Sequence, residues 1–226
     1  MVGAGKTTLT RALASRFGLQ LALESVDADT GERERADVAT EGRSTINPWL
    51  ERYYESPGAM RQYALSLQLH FLATRFESVR RMRGAGGAWI LDRTWYEDAE
   101  IFARGLFEAG VMGAEEWSLY ERLYTELLHA PAARPPRLLI YLDAPLEVML
   151  QRIATRGRPK ERETQRDYWV SLHARYERWI AGFRHCPVLR LDVREYDLIA
   201  DPTGIDAIAR QVRRRLEPEL PQGELF

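Results

Sequence analysis

Gly3-Ala4-Gly5-Lys6-Thr7-Thr8-Leu9, followed at helical spacing by Arg11-Ala12-Leu13-Ala14, is the stretch on which the fold turns. A glycine-rich turn running into a helix N-terminus presents backbone N–H groups that cradle the phosphates of a nucleotide. In such a phosphate-binding loop (P-loop) Gly3, Gly5 and Thr8 shape the cradle, Lys6 adds a point charge, and the Thr7 hydroxyl is a ligand for Mg²⁺. Gly-Lys-Thr alone is a common accident; the leading Gly-x and the helical run behind it are not. A full motif carries a further glycine five positions before Gly5, preceded by a strand buried mid-sheet. The sequence starts after both, so the expectation is a parallel sheet whose first, central strand is missing.

The 226 residues, 45% of them hydrophobic, suffice for one α/β core with a small lid. A formal charge of −1 gives no polyelectrolyte character, which argues against a nucleic-acid partner. The single cysteine, Cys186, excludes an internal disulfide and fits a reducing compartment. No apolar run reaches the ~18 residues of a membrane span, so the expectation is a cytoplasmic protein without a membrane partner.

Along the chain the pattern predicts helices over Lys6 to Phe17, Pro48 to Tyr54, Ala59 to Arg83, Tyr96 to Ala109, Gly113 to His129, Leu146 to Thr155, Glu163 to Phe183 and Ile205 to Leu216. Short apolar strands fall between them, at Leu19 to Leu23, Ala88 to Leu91, Leu138 to Leu142 and Val188 to Leu191. Strands alternating with helices imply a parallel sheet with crossover helices. Residues 27–46 are polar and without period, which reads as a variable loop. There is no internal repeat, so one domain spans 1–226.

Four groups of residues carry chemistry beyond the P-loop. The strand before Asp92-Arg93-Thr94 delivers a carboxylate and a guanidinium to its carboxyl end, where open α/β sheets bind ligands. Asp92 can organise Mg²⁺ opposite Thr7, and Arg93 can clamp developing phosphoryl charge. Glu24 also ends a predicted strand and can take the proton of an attacking hydroxyl. In the long helix Gln68 and Arg75, seven apart, share a face with Phe71 and Leu72; such polar groups are costly to bury without partners. They suit a planar base, with Arg75 pairing to Asp98 to read its edge. Finally Arg152, Arg156 and Arg158 cluster around Gly157 and Pro159, a movable arginine-rich lid at about 156–163 suited to a triphosphate.

Together these segments resemble the deoxyribonucleoside kinase family, most closely its bacterial deoxyguanosine/deoxyadenosine kinase members. The resemblance rests on GAGKTTL, Glu24-Ser25-Val26, Asn47-Pro48-Trp49-Leu50-Glu51, Leu67-Gln68-Leu69-His70-Phe71-Leu72, DRTWYED at 92–98, RGRPKE at 156–161, and LHARYERWI at 172–180. It implies a P-loop kinase fold, ATP and Mg²⁺, and a helix-packed homodimer, for which the aromatic helices of 96–129 are the candidate interface. It further implies Glu24 as general base for the sugar 5′-hydroxyl and Arg93 as its partner. Asp92 would stand near Mg²⁺, and Gln68, Arg75 and Asp98 would form the base-reading set. Tyr54 (or Tyr53) and Glu161 would hold the 3′-hydroxyl, and Arg152, Arg156 and Arg158 would be lid arginines. Serine replaces the family's usual proline at position 25, and the 27–46 stretch is long for the family.

The reading is therefore transfer of the ATP γ-phosphate to the 5′-hydroxyl of a deoxyribonucleoside, with deoxyguanosine or deoxyadenosine favoured. A thymidylate-type monophosphate kinase also uses a P-loop and an Asp-Arg pair, but it needs arginines for the acceptor's phosphate. A nucleotide-dependent switch would leave Glu24 and Glu161 without a task, and no Asn-Lys-x-Asp motif is present. An inactive truncated kinase is the remaining alternative.

Overall fold

Two left-handed glycines bracket the first helix and fix where the phosphate loop meets it. In the computed structural model, which describes residues 2–22, 48–157, 164–196 and 202–217, α1 (Lys6–Phe17) follows Gly5 at φ 91° and stops at Gly18 at φ 62°. Both angles lie where a side chain is disfavoured. Leu9, Leu13 and Ala14 form the buried face of α1, at the spacing a helix needs to present one apolar stripe. The chain then enters β1 (Gln20–Ala22).

Beyond residues 23–47, α2 (Pro48–Tyr54) packs on α3 (Pro57–Ala85). Ser56 caps α3, its hydroxyl accepting from the Ala59 N–H at 3.1 Å, and Pro57 occupies the first turn, where its missing N–H costs nothing. At 29 residues α3 is about 43 Å long, long enough to run past both halves of the site described below. It ends at Gly86, and β2 (Trp89–Leu91) follows. After Asp92-Arg93-Thr94 the chain forms α4 (Trp95–Glu97), widens into a π-helical stretch (Asp98–Ala103), and tightens again as α5 (Arg104–Glu108). Then come α6 (Ala114–His129), β3 (Leu139–Asp143), α7 (Leu146–Arg156), α8 (Arg166–Gly182), β4 (Val188–Asp192) and α9 (Pro202–Leu216).

β1 pairs with β2 in parallel, Gln20 opposite Trp89 and Ala22 opposite Leu91. β3 pairs with β4 in parallel, Leu139 opposite Val188 and Asp143 opposite Asp192. Parallel neighbours require crossover connections, and the helices supply them. Among the described residues the strands form two separate two-stranded sheets, with no strand joining β2 to β3. The single predicted sheet is thus present as two halves. The predicted helix and strand bounds hold to within a few residues; the exception in kind is the π-helical stretch inside the segment expected to be uniform α-helix.

Helix α8 anchors the core. Trp169, Leu172, Tyr176 and Ile180 recur three and four apart and are all buried, each contributing roughly 1.5–3 kcal/mol by leaving water. Tyr96, Tyr120, Leu13, Ile101 and Met149 are among the most deeply buried residues. Tyr53, Ala64 and Leu67 form a smaller cluster where α2 meets α3.

Candidate active site

The P-loop turn is built for close approach. Gly3 stands at φ +72°, and a Cβ there would meet the Met149 carbonyl oxygen at 3.2 Å and Ile153 Cγ1 at 3.3 Å. Helix α7 therefore packs directly on the loop, and only glycine fits both the angle and the gap. Arg152 of α7 seals the contact: its Nη1 donates to the Ala4 carbonyl and its Nη2 to the Val193 carbonyl, each at 3.5 Å. Arg156, one turn on, is exposed. Of the predicted lid, residues 158–163, Arg158 and Glu161 among them, lie outside the described residues. So do Glu24 and the 27–46 loop.

Thr7 and Asp92 meet across the P-loop and the end of β2. The Thr7 hydroxyl donates to Asp92 Oδ2 at 2.5 Å. The other carboxylate oxygen, Asp92 Oδ1, is buried and has no hydrogen-bond partner among the described residues. A buried acceptor left unpaired costs about 1–3 kcal/mol, which makes this oxygen a candidate for a ligand contact. A hydroxyl and a carboxylate are hard oxygen donors of the kind Mg²⁺ takes when nucleotide phosphates complete its shell. No cluster of three or more His, Cys, Asp or Glu that could hold a metal occurs among the described residues.

Arg93 holds the chain's only left-handed non-glycine backbone among the described residues, at φ 88°. Its Nη1 donates to Glu97 Oε1 at 2.6 Å and to the Tyr176 hydroxyl at 3.3 Å, while the ring of Phe102 lies 5.2 Å from the guanidinium carbon. Burial pushes the Glu97 carboxyl up, but Arg93, Lys6 and the Tyr176 hydroxyl more than reverse this and hold it at about 2. Glu97 is therefore an ionised counter-ion to Arg93, with the charge of the P-loop lysine acting on it as well. It is too weak a base to take a proton from a hydroxyl near neutral pH.

The adjacent residue serves the other half of the site. Asp98 is buried and accepts from Arg75 in a two-pronged ion pair, Nε to Oδ2 at 2.9 Å and Nη2 to Oδ1 at 3.3 Å. Burial raises the Asp98 carboxyl above its ordinary value, and Arg75 offsets part of that. Gln68, two turns earlier on α3, is buried with its Oε1 unpartnered among the described residues. Tyr53 is buried and Tyr54 is exposed, their rings edge to face at 5.0 Å. Burial, with Tyr54 and Tyr168 nearby, pushes the Tyr53 hydroxyl up to about 12.

The structure thus brings Lys6, Thr7, Asp92 and Arg93 to one end of β2, and sets Arg75 against Asp98 beside them. Sequence reasoning assigned no role to Glu97 or Tyr176. Glu97 lies only four residues after Arg93, but Arg93 precedes α4 on a left-handed backbone, so a helical i,i+4 reading did not apply. Tyr176 gave no local signal, because it arrives from a helix 83 residues beyond Arg93.

A family model described as deoxynucleoside kinase matches residues 1–217. The chain is 38% identical over 211 residues to a deoxyadenosine/deoxycytidine kinase of Bacillus subtilis, covering 93% of this chain and 88% of that protein. It is 30% identical over 223 residues to a deoxyguanosine kinase of Lactobacillus johnsonii, covering 96% and 89%. Among solved structures it is similar to deoxyadenosine kinase from M. mycoides with bound dATP, at a TM-score of 0.70 and 22% identity over 94% of this chain and 96% of that one. The same enzyme with dCMP and dCDP bound gives a TM-score of 0.70 at 21% identity, covering 95% and 96%. On the strength of the family match and of the site assembled at the end of β2, the chain belongs to the deoxynucleoside kinase family of ATP-dependent phosphotransferases.

Proposed function

We propose that this kinase transfers the γ-phosphate of ATP to the 5′-hydroxyl of a purine deoxyribonucleoside, deoxyadenosine ahead of deoxyguanosine. The observation that carries the reading is the buried Arg75–Asp98 pair, one residue along the chain from the Glu97–Arg93 pair. On this reading the first pair is a base-reading group and the second a phosphate-steering group.

In this scheme the α1 N-terminus and Lys6 hold the β- and γ-phosphates, with Arg152, Arg156 and Arg158 closing over them. Thr7 and Asp92 would hold Mg²⁺, which would supply charge neutralisation to the triphosphate. Glu24 takes the proton from the sugar 5′-hydroxyl as its oxygen bonds to the γ-phosphorus. The bond from that phosphorus to the β,γ-bridging oxygen breaks, and ADP leaves. Arg93 stabilises the equatorial oxygens during the transfer. Tyr54 and Glu161 hold the 3′-hydroxyl, and Gln68, Arg75 and Asp98 read the base.

Base choice follows from donors and acceptors. An ionised carboxylate only accepts, and Gln68 offers one acceptor and two donors. Adenine presents an amine at C6 where guanine presents a carbonyl, so Asp98 favours adenine. Cytosine carries a comparable amine, and the name of the Bacillus relative supports testing it alongside.

The test is a panel of the four deoxynucleosides and dTMP with ATP and Mg²⁺, following nucleoside 5′-monophosphate. Deoxyadenosine is expected to have the highest kcat/KM. Faster phosphorylation of dTMP, or of thymidine, contradicts the assignment. We further propose a homodimer, supported by the exposed Phe107, Leu119 and Leu123 of α5 and α6. Sedimentation equilibrium is expected to give twice the 26.1 kDa chain mass; a monomer at assay concentration contradicts it.

A further inference from the structure

Three side chains lock together immediately behind the phosphate site. Arg93 donates from one nitrogen, Nη1, to both Glu97 and Tyr176, and Tyr176 donates its own proton to the same Glu97 oxygen. Arg93 and Glu97 have side chains less than a tenth exposed, and Tyr176 is buried more deeply still. The tyrosine is itself fixed: its ring stacks on Tyr141 of β3 at 6.5 Å and meets Trp179 edge-on at 6.1 Å. Arg93 sits on a strained left-handed backbone, which persists only where surrounding contacts over-determine it.

A buried arginine beside a phosphate subsite must be held by something, or it turns toward whichever anion is nearest. Glu97 supplies a fixed anion at one nitrogen of the guanidinium fork, and Phe102 lies against its face. Successive helical positions point about 100° apart, so the neighbouring acids divide the work. Glu97 pairs with the phosphate-side arginine, and Asp98 with the base-side one. We propose that Glu97 and Tyr176 are positioning residues for phosphoryl transfer: Glu97 is the counter-ion that aims Arg93, and Tyr176 is the clamp that fixes Glu97. The inference rests on the kinase reading above.

The experiment measures kcat and KM for deoxyadenosine at saturating ATP in the full chain and in Glu97→Gln, Tyr176→Phe, Arg93→Gln and the Glu97→Gln/Arg93→Gln double variant. Glu97→Gln is expected to lower kcat by about a hundredfold and Tyr176→Phe by about tenfold, as misplacement of a catalytic group does. KM should stay near the wild-type value, because neither side chain contacts the nucleoside. In the Arg93→Gln background Glu97→Gln should cost nothing further, since there is no arginine left to aim. If Glu97→Gln does not fold, the near-isosteric Tyr176→Phe decides alone. Unchanged kcat in the variants overturns the positioning role while leaving the kinase reading intact, and so does a rise in KM alone or a Glu97 effect undiminished without Arg93. Absence of transfer to any deoxynucleoside by the unmodified chain overturns the kinase reading, and this inference with it.

Discussion

Glu97 and Asp98 are consecutive carboxylates with opposite ionisation tendencies, and the difference comes from their partners. Burial raises Asp98, as does the charge of Glu97, against the pull of Arg75 and the smaller one of Arg93. Glu97 faces Arg93, Lys6 and a phenol proton, and is held at about 2. A carboxyl depressed in the folded state stabilises above its unfolded pKa and loses that contribution as pH falls through the folded value. The window for Glu97 therefore runs from about pH 4.5 down to about 2, with a span on the order of 3 kcal/mol. Thermal melts of the unmodified chain and Glu97→Gln should differ most at pH 7 and converge as pH drops across that window. A gap that stays constant to pH 3 would mean Glu97 is not the ionised partner of Arg93. The neighbouring pair, Arg75 with Asp98, was legible in the sequence, because a polar face on a long apolar helix and a distant acid demand one another. The Tyr176 contact was not, since its partners come from segments far along the chain.

The helices were legible because their ends carry ordinary punctuation: Gly18 after α1, Ser56-Pro57 before α3, Gly157 after α7. Position and period sufficed there. The π-helical stretch at Asp98–Ala103 was not legible, since Asp-Ala-Glu-Ile-Phe-Ala has no glycine or proline to mark it. Its formation is decided by tertiary packing against α3 and α8. The widened turns lie directly after Glu97 and include Asp98 and Phe102, which touch Arg75 and Arg93. A π-bulge re-registers side chains along a helix and recurs at functional sites for that reason. The strands were legible as elements, but not their pairing. β1 with β2 and β3 with β4 form two parallel pairs among the described residues, a division that strand identity alone does not reveal.

Taken as one molecule, the chain draws its site from distant segments. The P-loop supplies Lys6 and Thr7, the end of β2 supplies Asp92 and Arg93, and α3 supplies Gln68 and Arg75. Tyr176 reaches in from α8 and Arg152 from α7. Two bonds stitch the parts together: Thr7 to Asp92 across 85 residues, and Arg93 to Tyr176 across 83. Under the proposed function the phosphate-holding and base-reading groups share one frame, so that the γ-phosphate and a sugar hydroxyl can be set within reach of each other. The most direct measurement is a crystal structure of the chain with deoxyadenosine and a non-hydrolysable ATP analogue. The account expects the γ-phosphate over Lys6 and Thr7, the adenine against Gln68, Arg75 and Asp98, and the 5′-oxygen between them beside Arg93. A nucleoside bound away from Asp98, or a triphosphate away from Lys6, would contradict it.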